Sequence, residues 1–349
     1  VNIFDLVNAA QIATYWNETA SERIPYLGAT LFPAQKQLGL DLSWIKGSKG
    51  LPVALTPSAF DAKATVRDRI GVSKVETEMP FFRESMIIKE KDRQELNKLM
   101  AADNARMLEP VIRKIYDDAG NLIDGADVQA ERMRMQLLST GAINITDNRM
   151  IYTYDYQMPA THKKQLDTTA RWSVPASATP ISDIQGWQDI IEEDTGVRPT
   201  RAICTRKTWA YLLTNASIKS DMNVTKGDKI ILTDSMLQQY LMAKLGLQVA
   251  VYNKKYATVV AGSGAYFYPD ELFTLIPEGN LGNTYYGTTP EESDLMSGNT
   301  DAQVQIVNTG VAVTSIKIPH PVNIETIVSA IVLPSFERID EILIATVHH

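Results

Sequence analysis

FYPDELFTLIPEGNLGNTYYGTTPEE, Phe267–Glu292, carries a strand-like run, a glycine-rich passage and a helix start in quick succession. Its middle, GNTYYGTT (Gly282–Thr289), comes within one residue of the phosphate-loop pattern G-x-x-x-x-G-K-[ST], whose backbone N–H groups and lysine hold a nucleotide. Thr288 stands where that lysine belongs. Thr289-Pro290-Glu291-Glu292 reads instead as a helix start, with Thr289 as cap, Pro290 at the first position and Glu292 closing a capping box. Two carboxylates then occupy the positive helix end that a phosphate would need. The stretch reads as a structured turn, and its neighbours say in what kind of protein.

Upstream, Pro180 opens the helix ISDIQGWQDIIEEDTG, TRAICT is strand-like, RKTWAYLLT is a short helix, and TDSMLQQYLMAKLG is an amphipathic helix stopped by Gly246. The strands LQVAVYN, ATVVAG and ELFTLIPEG follow, so this region alternates helices with strands as one α/β unit. A linker containing RWSVPASATP precedes it. Downstream, AQVQIVNTGVAVTSIKIPHPVNIETIVSAIVLP and EILIATV are strand-rich, and so much apolar β pattern implies that several edges are paired or covered.

The first half reads differently. AINITDNRMIYTYDY is a hairpin with Asp147-Asn148 as its turn. Before it lie the helical segments KDRQELNKLMAADNARML, then EPVIRKIYDDAG, started or kinked by Pro110, then DVQAERMRMQLLSTG, ending on Gly141. Their alternating charges form solvated faces, and Met133 and Met135 are packing residues. Residues 41 to 90, with LDLSWIKG and KVETEMPFFRESMIIKE as strand-like limbs, read as a two-limbed excursion. Limbs of about fifteen to twenty residues reach on the order of 50 to 65 Å, whereas a compact body of this length has a radius of gyration near about 20 Å. An isolated two-stranded ribbon is marginal in water, so it rests on another copy of the chain. The first forty residues, FDLVNAAQIATYWNETA onward, place Phe4, Leu6, Ile12, Tyr15 and Trp16 in an arm without a core of its own, which needs another surface to cover it.

Composition narrows the function. The 349 residues include 34 basic and 41 acidic side chains, a formal charge of -7 that disfavours a general grip on phosphate backbones. Cys204 is alone and fits a reducing compartment. Nothing resembles a signal peptide, and no apolar run has the length of a membrane helix. His162 and His320 lie in polar and proline-flanked settings expected at loop surfaces, while the pair His348 and His349 reads as a tag remnant without structural context. Glu192, Glu193 and Asp194 end a helix, and an acid/base pair would need a second group that sequence does not place. There is no G-x-S-x-G and no metal-ligand cluster, so no catalytic residue, cofactor site or metal site is assigned.

Four blocks in order, FPAQKQLGLDLSWIKG, ERMRMQLLSTGAINI, TTARWSVPASATPISDIQGW and the opening stretch, resemble the tailed-phage major capsid proteins, specifically the family of the phage lambda capsid protein E. The resemblance implies an α+β fold of the Hong Kong 97 capsid type. It would have an N-terminal arm (residues 1–40), an extended β-hairpin loop (41–90), a peripheral domain with a long spine helix (91–180 and 285–330) and an axial α/β domain (181–284 and 331–347). It implies a non-enzymatic structural protein that self-assembles as hexamers and pentamers into an icosahedral shell. That shell would enclose double-stranded DNA without specific binding, without a membrane, in a virion assembled in the host cytoplasm. Scaffolding, portal and decoration proteins are the further partners it suggests. On this reading GNTYYGTT carries the chain out of the axial domain, with Gly279, Gly282 and Gly287 as turn glycines. Tyr285 and Tyr286 offer flat apolar area to a strand or a neighbour, and Trp44, Arg67, Asp68 and Arg69 join them as expected intersubunit contacts. An encapsulin-like compartment holding protein cargo shares the fold and is the main alternative; an α/β hydrolase or transferase is the other.

Overall fold

The computed structural model describes residues 7–20, 25–46, 73–88, 90, 93–94, 98, 105–147, 150–223, 231–257, 262–298, 302–319 and 322–348. The chain divides into two compact units, through which it passes alternately. Unit 1 comprises Val1–Ser43, Glu76–Met133 and Asn283–Ser335; unit 2 comprises Trp44–Val75, Arg134–Gly282 and Phe336–His349.

Helix α1 (Ala9–Ala20) has its apolar residues at helical spacing, and Ala9, Ile12, Ala13 and Trp16 are all buried. A short helix α2 (Leu27–Leu31) and strand β1 (Ala34–Lys36) follow. Strands β2 (Asp41–Lys46) and β3 (Ser73–Glu78) pair with one another as a two-stranded sheet, and β4 (Phe81–Ile87) begins after Met79-Pro80. The long helix α3 (Ala105–Thr140) is continuous where sequence suggested separate segments. Pro110 stands inside it, so the helix runs on through the loss of one i→i−4 hydrogen bond. At about 1.5 Å per residue it extends roughly 54 Å.

Of the arm residues expected to need an outside cover, Ile12 and Trp16 are buried and Tyr15 half-buried within unit 1, while Phe4 and Leu6 lie outside the described residues. Trp16 Nε1 donates to Asp124 Oδ1 at 2.9 Å, Tyr15 Oη donates to Asp117 Oδ1 at 2.5 Å, and Tyr116 Oη donates to Gln11 Oε1 at 3.0 Å. An acidic face of α3 thus receives the polar edges of α1 while its apolar stripe is buried. The helix stops at Gly141, whose φ of 74° is costly for other residues; a Cβ there would also lie 2.9 Å from Met158 Cβ.

Unit 2 begins with the hairpin β5 (Ala142–Asp147) and β6 (Met150–Asp155). Its register pairs Asp147 with Met150, so Asp147 is a strand residue and not the expected turn residue. Strand β7 (Lys163–Gln165) leads to α4 (Pro180–Thr195), β8 (Arg201–Cys204), α5 (Arg206–Thr214), α6 (Ala216–Met222), α7 (Asp234–Leu245) and β9 (Gln248–Val251). A small hairpin, β10 (Lys255–Tyr256) with β11 (Ala265–Tyr266), precedes β12 (Leu272–Ile276). The chain re-enters unit 1 as β13 (Thr284–Tyr286), α8 (Pro290–Ser297), β14 (Gln303–Val307), β15 (Val311–Pro319) and β16 (Val322–Pro334), then closes unit 2 with β17 (Leu343–Thr346).

The unit 1 sheet runs β1-β13-β16-β15-β14, with β4 also paired to β16. Residues 325–330 of β16 are matched by both β15 and β4, so these two strands flank it. Sequence counted the β4 run within the excursion of residues 41–90; the structure binds it to β16 over seven register pairs, from Ile331↔Phe81 to Glu325↔Ile87. Unit 2 has the mixed sheet β7-β17-β12-β8-β9. In its core Trp172, Trp187 and Phe273 cluster, with Trp172 5.1 Å from Phe273 edge to face. Trp172 therefore anchors the RWSVPASATP segment that sequence read as a linker, and its Nε1 donates to Asp183 at 2.9 Å. Met133 and Met135 are fully buried.

Two histidines differ from expectation. His162, expected on a loop surface, is 1% exposed, and its Nε2 lies 2.9 Å from Asp194 Oδ2. His348, expected to lack structural context, is buried against Thr208 Oγ1 at 3.1 Å and the Tyr211 ring. His320 and His349 lie outside the described residues.

Candidate functional site

The opening stretch contributes a bend to unit 2 and a strand junction to unit 1, each a candidate site by itself. In unit 2, the bend after β12 is held by guanidinium groups on its carbonyl oxygens. Arg201 Nε donates to Pro277 O at 3.0 Å and its Nη2 to Gly279 O at 2.5 Å; Arg338 Nη1 donates to Glu278 O at 2.6 Å and to Asn280 O at 3.1 Å. Burial lowers the Arg201 pKa from its ordinary value, Glu278 opposing and Arg338 reinforcing the shift. Gly279 has φ 85°, the left-handed backbone expected of a turn glycine, whereas Gly282 and Gly287 do not.

In unit 1, Gly287 is required for space. Its N–H donates to Ile331 O at 2.8 Å, and a Cβ would lie 2.7 Å from both Gly39 O and Ile331 Cγ2 and 2.8 Å from Met79 Cε. Thr288 N donates to Gly39 O at 3.3 Å, and Gly39 N donates back to Thr288 Oγ1 at 3.4 Å. Gly287 is thus the point where the segment after β1, the Met79-Pro80 corner between β3 and β4, and the long strand β16 converge.

The helix start beside it follows the sequence reading in its cap and proline: Thr289 Oγ1 accepts from Glu292 N at 3.3 Å, and Pro290 opens α8, but the Glu292 carboxylate turns to Lys36 where a capping box was expected. Its two carboxylates face protein cations, which favour the same helix end. Lys36 Nζ lies 2.5 Å from Glu292 Oε2 and also donates to Gly287 O at 2.9 Å. Arg83 Nη2 lies 2.5 Å from Glu291 Oε1, and Ser329 Oγ donates to Glu291 Oε2 at 2.8 Å. One turn of helix therefore ties down β1, β4 and β16. Such a junction fixes strands mechanically, and its carboxylates are already engaged by side chains, which further removes it from the phosphate-loop pattern.

Of the expected contact residues, Tyr286 is 4% exposed within unit 1, so its area serves its own sheet and leaves little for a neighbour. Tyr285 is half-buried, paired with Gln35 of β1 and Leu333 of β16. Trp44 sits in β2, while Arg67, Asp68 and Arg69 lie outside the described residues. Sequence reasoning missed Lys36 and Arg83, whose partners are more than 200 positions away and leave no local signal. Among the described residues no group of His, Cys, Asp or Glu could hold a metal ion, and no helix is long and apolar enough to cross a membrane. Cys204 is buried in β8, which pushes its thiol pKa far up.

The fold is shared with solved structures. A chain described as a prophage capsid protein from E. coli CFT073 matches with a TM-score of 0.63 and 17% identity, covering 98% of this chain and 99% of that one. A phage-related protein from Bordetella bronchiseptica RB50 matches with a TM-score of 0.58 and 14% identity, covering 97% of each. The mixed helix and strand architecture is therefore that of the Hong Kong 97-type capsid proteins. No curated protein matches the sequence. The family description "Phage major capsid protein E" fits residues 8–347. The chain belongs to the phage major capsid protein E family.

Proposed function

We propose that this capsid protein assembles with copies of itself, as hexamers and pentamers, into an icosahedral shell. The shell is a structural container, assembled in the host cytoplasm, that encloses double-stranded DNA in the virion. The observation that carries the reading is the family match across nearly the whole chain. In this scheme the part of residues 41–90 that precedes β4 forms an extended loop that reaches a neighbouring copy, β4 itself staying beside β16, and the axial domain, residues 181–284 with the chain after β16, meets its counterparts at the capsomer centre. Residues 1–40 form the arm, and residues 91–133 with 285–330 the peripheral domain around α3; residues 134–180, expected there from sequence, go with unit 2, whose sheet holds β7 and whose core holds Trp172. Scaffolding, portal and decoration proteins are its expected further partners.

Charge supports an intersubunit role for the loop. Residues 44–75 carry six basic side chains (Lys46, Lys49, Lys63, Arg67, Arg69 and Lys74) against two acidic ones, whereas the three segments of unit 1 carry more acidic than basic groups. Opposite charge on two parts of one chain favours contact between copies and is weakened by salt. Arg67, Asp68 and Arg69 then make ion pairs across the subunit boundary, with Trp44 and Tyr285 as apolar contacts. Replacing both arginines (R67E with R69E) should shift the protein from shells to free subunits at physiological ionic strength, read by gradient sedimentation and negative-stain microscopy. Shell formation equal to wild type by that double variant would remove the loop from the interface.

A further inference from the structure

Two strand edges in unit 2 are closed by glutamine side chains. In β5, Asn144 lies opposite Thr153 of β6, yet both of its main-chain groups are engaged by Gln136 of α3. Gln136 Nε2 donates to Asn144 O at 3.0 Å, and Asn144 N donates to Gln136 Oε1 at 3.2 Å. In an antiparallel ladder, alternate facing residues exchange both N–H···O bonds. The Gln136 carboxamide reproduces that exchange on the edge of β5 turned away from β6.

The second case is on β9, the end strand of the unit 2 sheet. Gln248 N donates to Thr200 O and Tyr252 N to Cys204 O, so the even-numbered residues turn their main chain toward β8. Val249 O points to the other edge, where Gln238 Nε2 of α7 donates to it at 3.2 Å. Each glutamine is half-buried and belongs to a helix, which fixes where its side chain starts.

An unprotected edge presents main-chain groups that can recruit a strand from another molecule. The hazard is acute for a chain whose copies meet at the local concentrations of a growing shell, and in that respect the inference rests on the assembly proposed above. We infer that Gln136 and Gln238 are edge guards: their side-chain amides stand in for a neighbouring strand and exclude β5 and β9 from strand pairing between copies. Pairing between subunits is thereby directed to other surfaces. A water molecule could satisfy the same atoms, but an incoming strand displaces it easily; a packed side chain must first be broken away.

The test uses the full chain. In Q136A the amide of Asn144 should exchange with solvent about fivefold to tenfold faster, as expected for one lost hydrogen bond, and sedimentation velocity should show a concentration-dependent species absent from wild type. Adding N144P, which removes the edge donor, should abolish that species, since proline is tolerated at outward-facing edge positions. Q238A should by itself produce a similar new species, an independent arm should Q136A not fold. The inference is overturned if Asn144 exchange is unchanged in Q136A, if a folded variant gives no new association, or if association persists in Q136A with N144P. Shells are scored separately by negative stain, so failure of shell formation is not confused with failure of edge protection.

Discussion

Replacing Gly287 with alanine adds a single methyl group at the most crowded glycine of unit 1. That methyl would lie 2.7 Å from Gly39 O and Ile331 Cγ2 and 2.8 Å from Met79 Cε, against the roughly 3.5–4.0 Å preferred between carbon atoms. Met79 can swing its terminal methyl away. Gly39 cannot follow easily, because its main chain is bonded in both directions to Thr288, and Ile331 is held in β16. Overpacking costs about 1–3 kcal/mol, and loosening the bonds at Ile331 O and Gly39 O adds about 1 kcal/mol each. G287A should therefore destabilise unit 1 by about 3–5 kcal/mol, a large share of the roughly 5–15 kcal/mol that holds a folded protein. The assay is urea unfolding followed by circular dichroism, with hydrogen exchange on residues 284–292 to locate the loss. G125A is the matched control: nothing lies within 4 Å of the added Cβ in the α3 interior, so the same change should stabilise by about 0.5–1 kcal/mol. If G287A falls within about 0.5 kcal/mol of wild type, the junction is looser than the argument requires. G287V should be worse than G287A and block assembly.

Two further outcomes follow from the charged groups. E292Q removes the negative charge opposite the Lys36 ammonium, leaving it a neutral amide oxygen and Gly287 O as acceptors. Because Lys36 is 30% exposed, the cost should be about 1–3 kcal/mol, below that of a fully buried pair. K36M with E292M should recover part of it, and an E292Q variant as stable as wild type would show that the pair contributes nothing. His348 has its pKa lowered chiefly by burial, so the unfolded chain takes up a proton more readily than the folded one. Its contribution is full above the unfolded pKa of about 6.5 and is lost as the pH falls through that value. Wild type minus H348Q stability should decline between pH 7.5 and pH 5.5 by titration in urea, and a flat difference would contradict the placement.

Local chemistry was legible in the sequence. The Thr289 cap with Pro290, the stops at Gly141 and Gly246, and the strands at 201–204, 248–251 and 272–276 are set by residues within a few positions of one another. What sequence did not disclose is partnership across distance. The β4 run has the same alternation whether it belongs to a projecting ribbon or to a sheet beside β16. Helix α1 reads as an uncovered arm until α3 is placed beneath it. His162 sits in a polar run and His348 reads as a terminal residue without context, yet folding brings Asp194 to one and Thr208 to the other. Pro110 looked like a boundary because a local rule cannot tell that the helix runs on through it. At Gly287 the need for glycine was legible, but its cause is the approach of Gly39 and Ile331 and not its own turn. The resemblance carried by four blocks supplied the family where local rules could not.

The most direct measurement is electron cryomicroscopy of the purified protein under assembly conditions. Closed particles with fivefold and sixfold clusters of this chain, the segment between β2 and β4 of each copy lying across its neighbour, are the predicted result. Uniform single copies that keep that segment against their own body at every concentration would contradict the account.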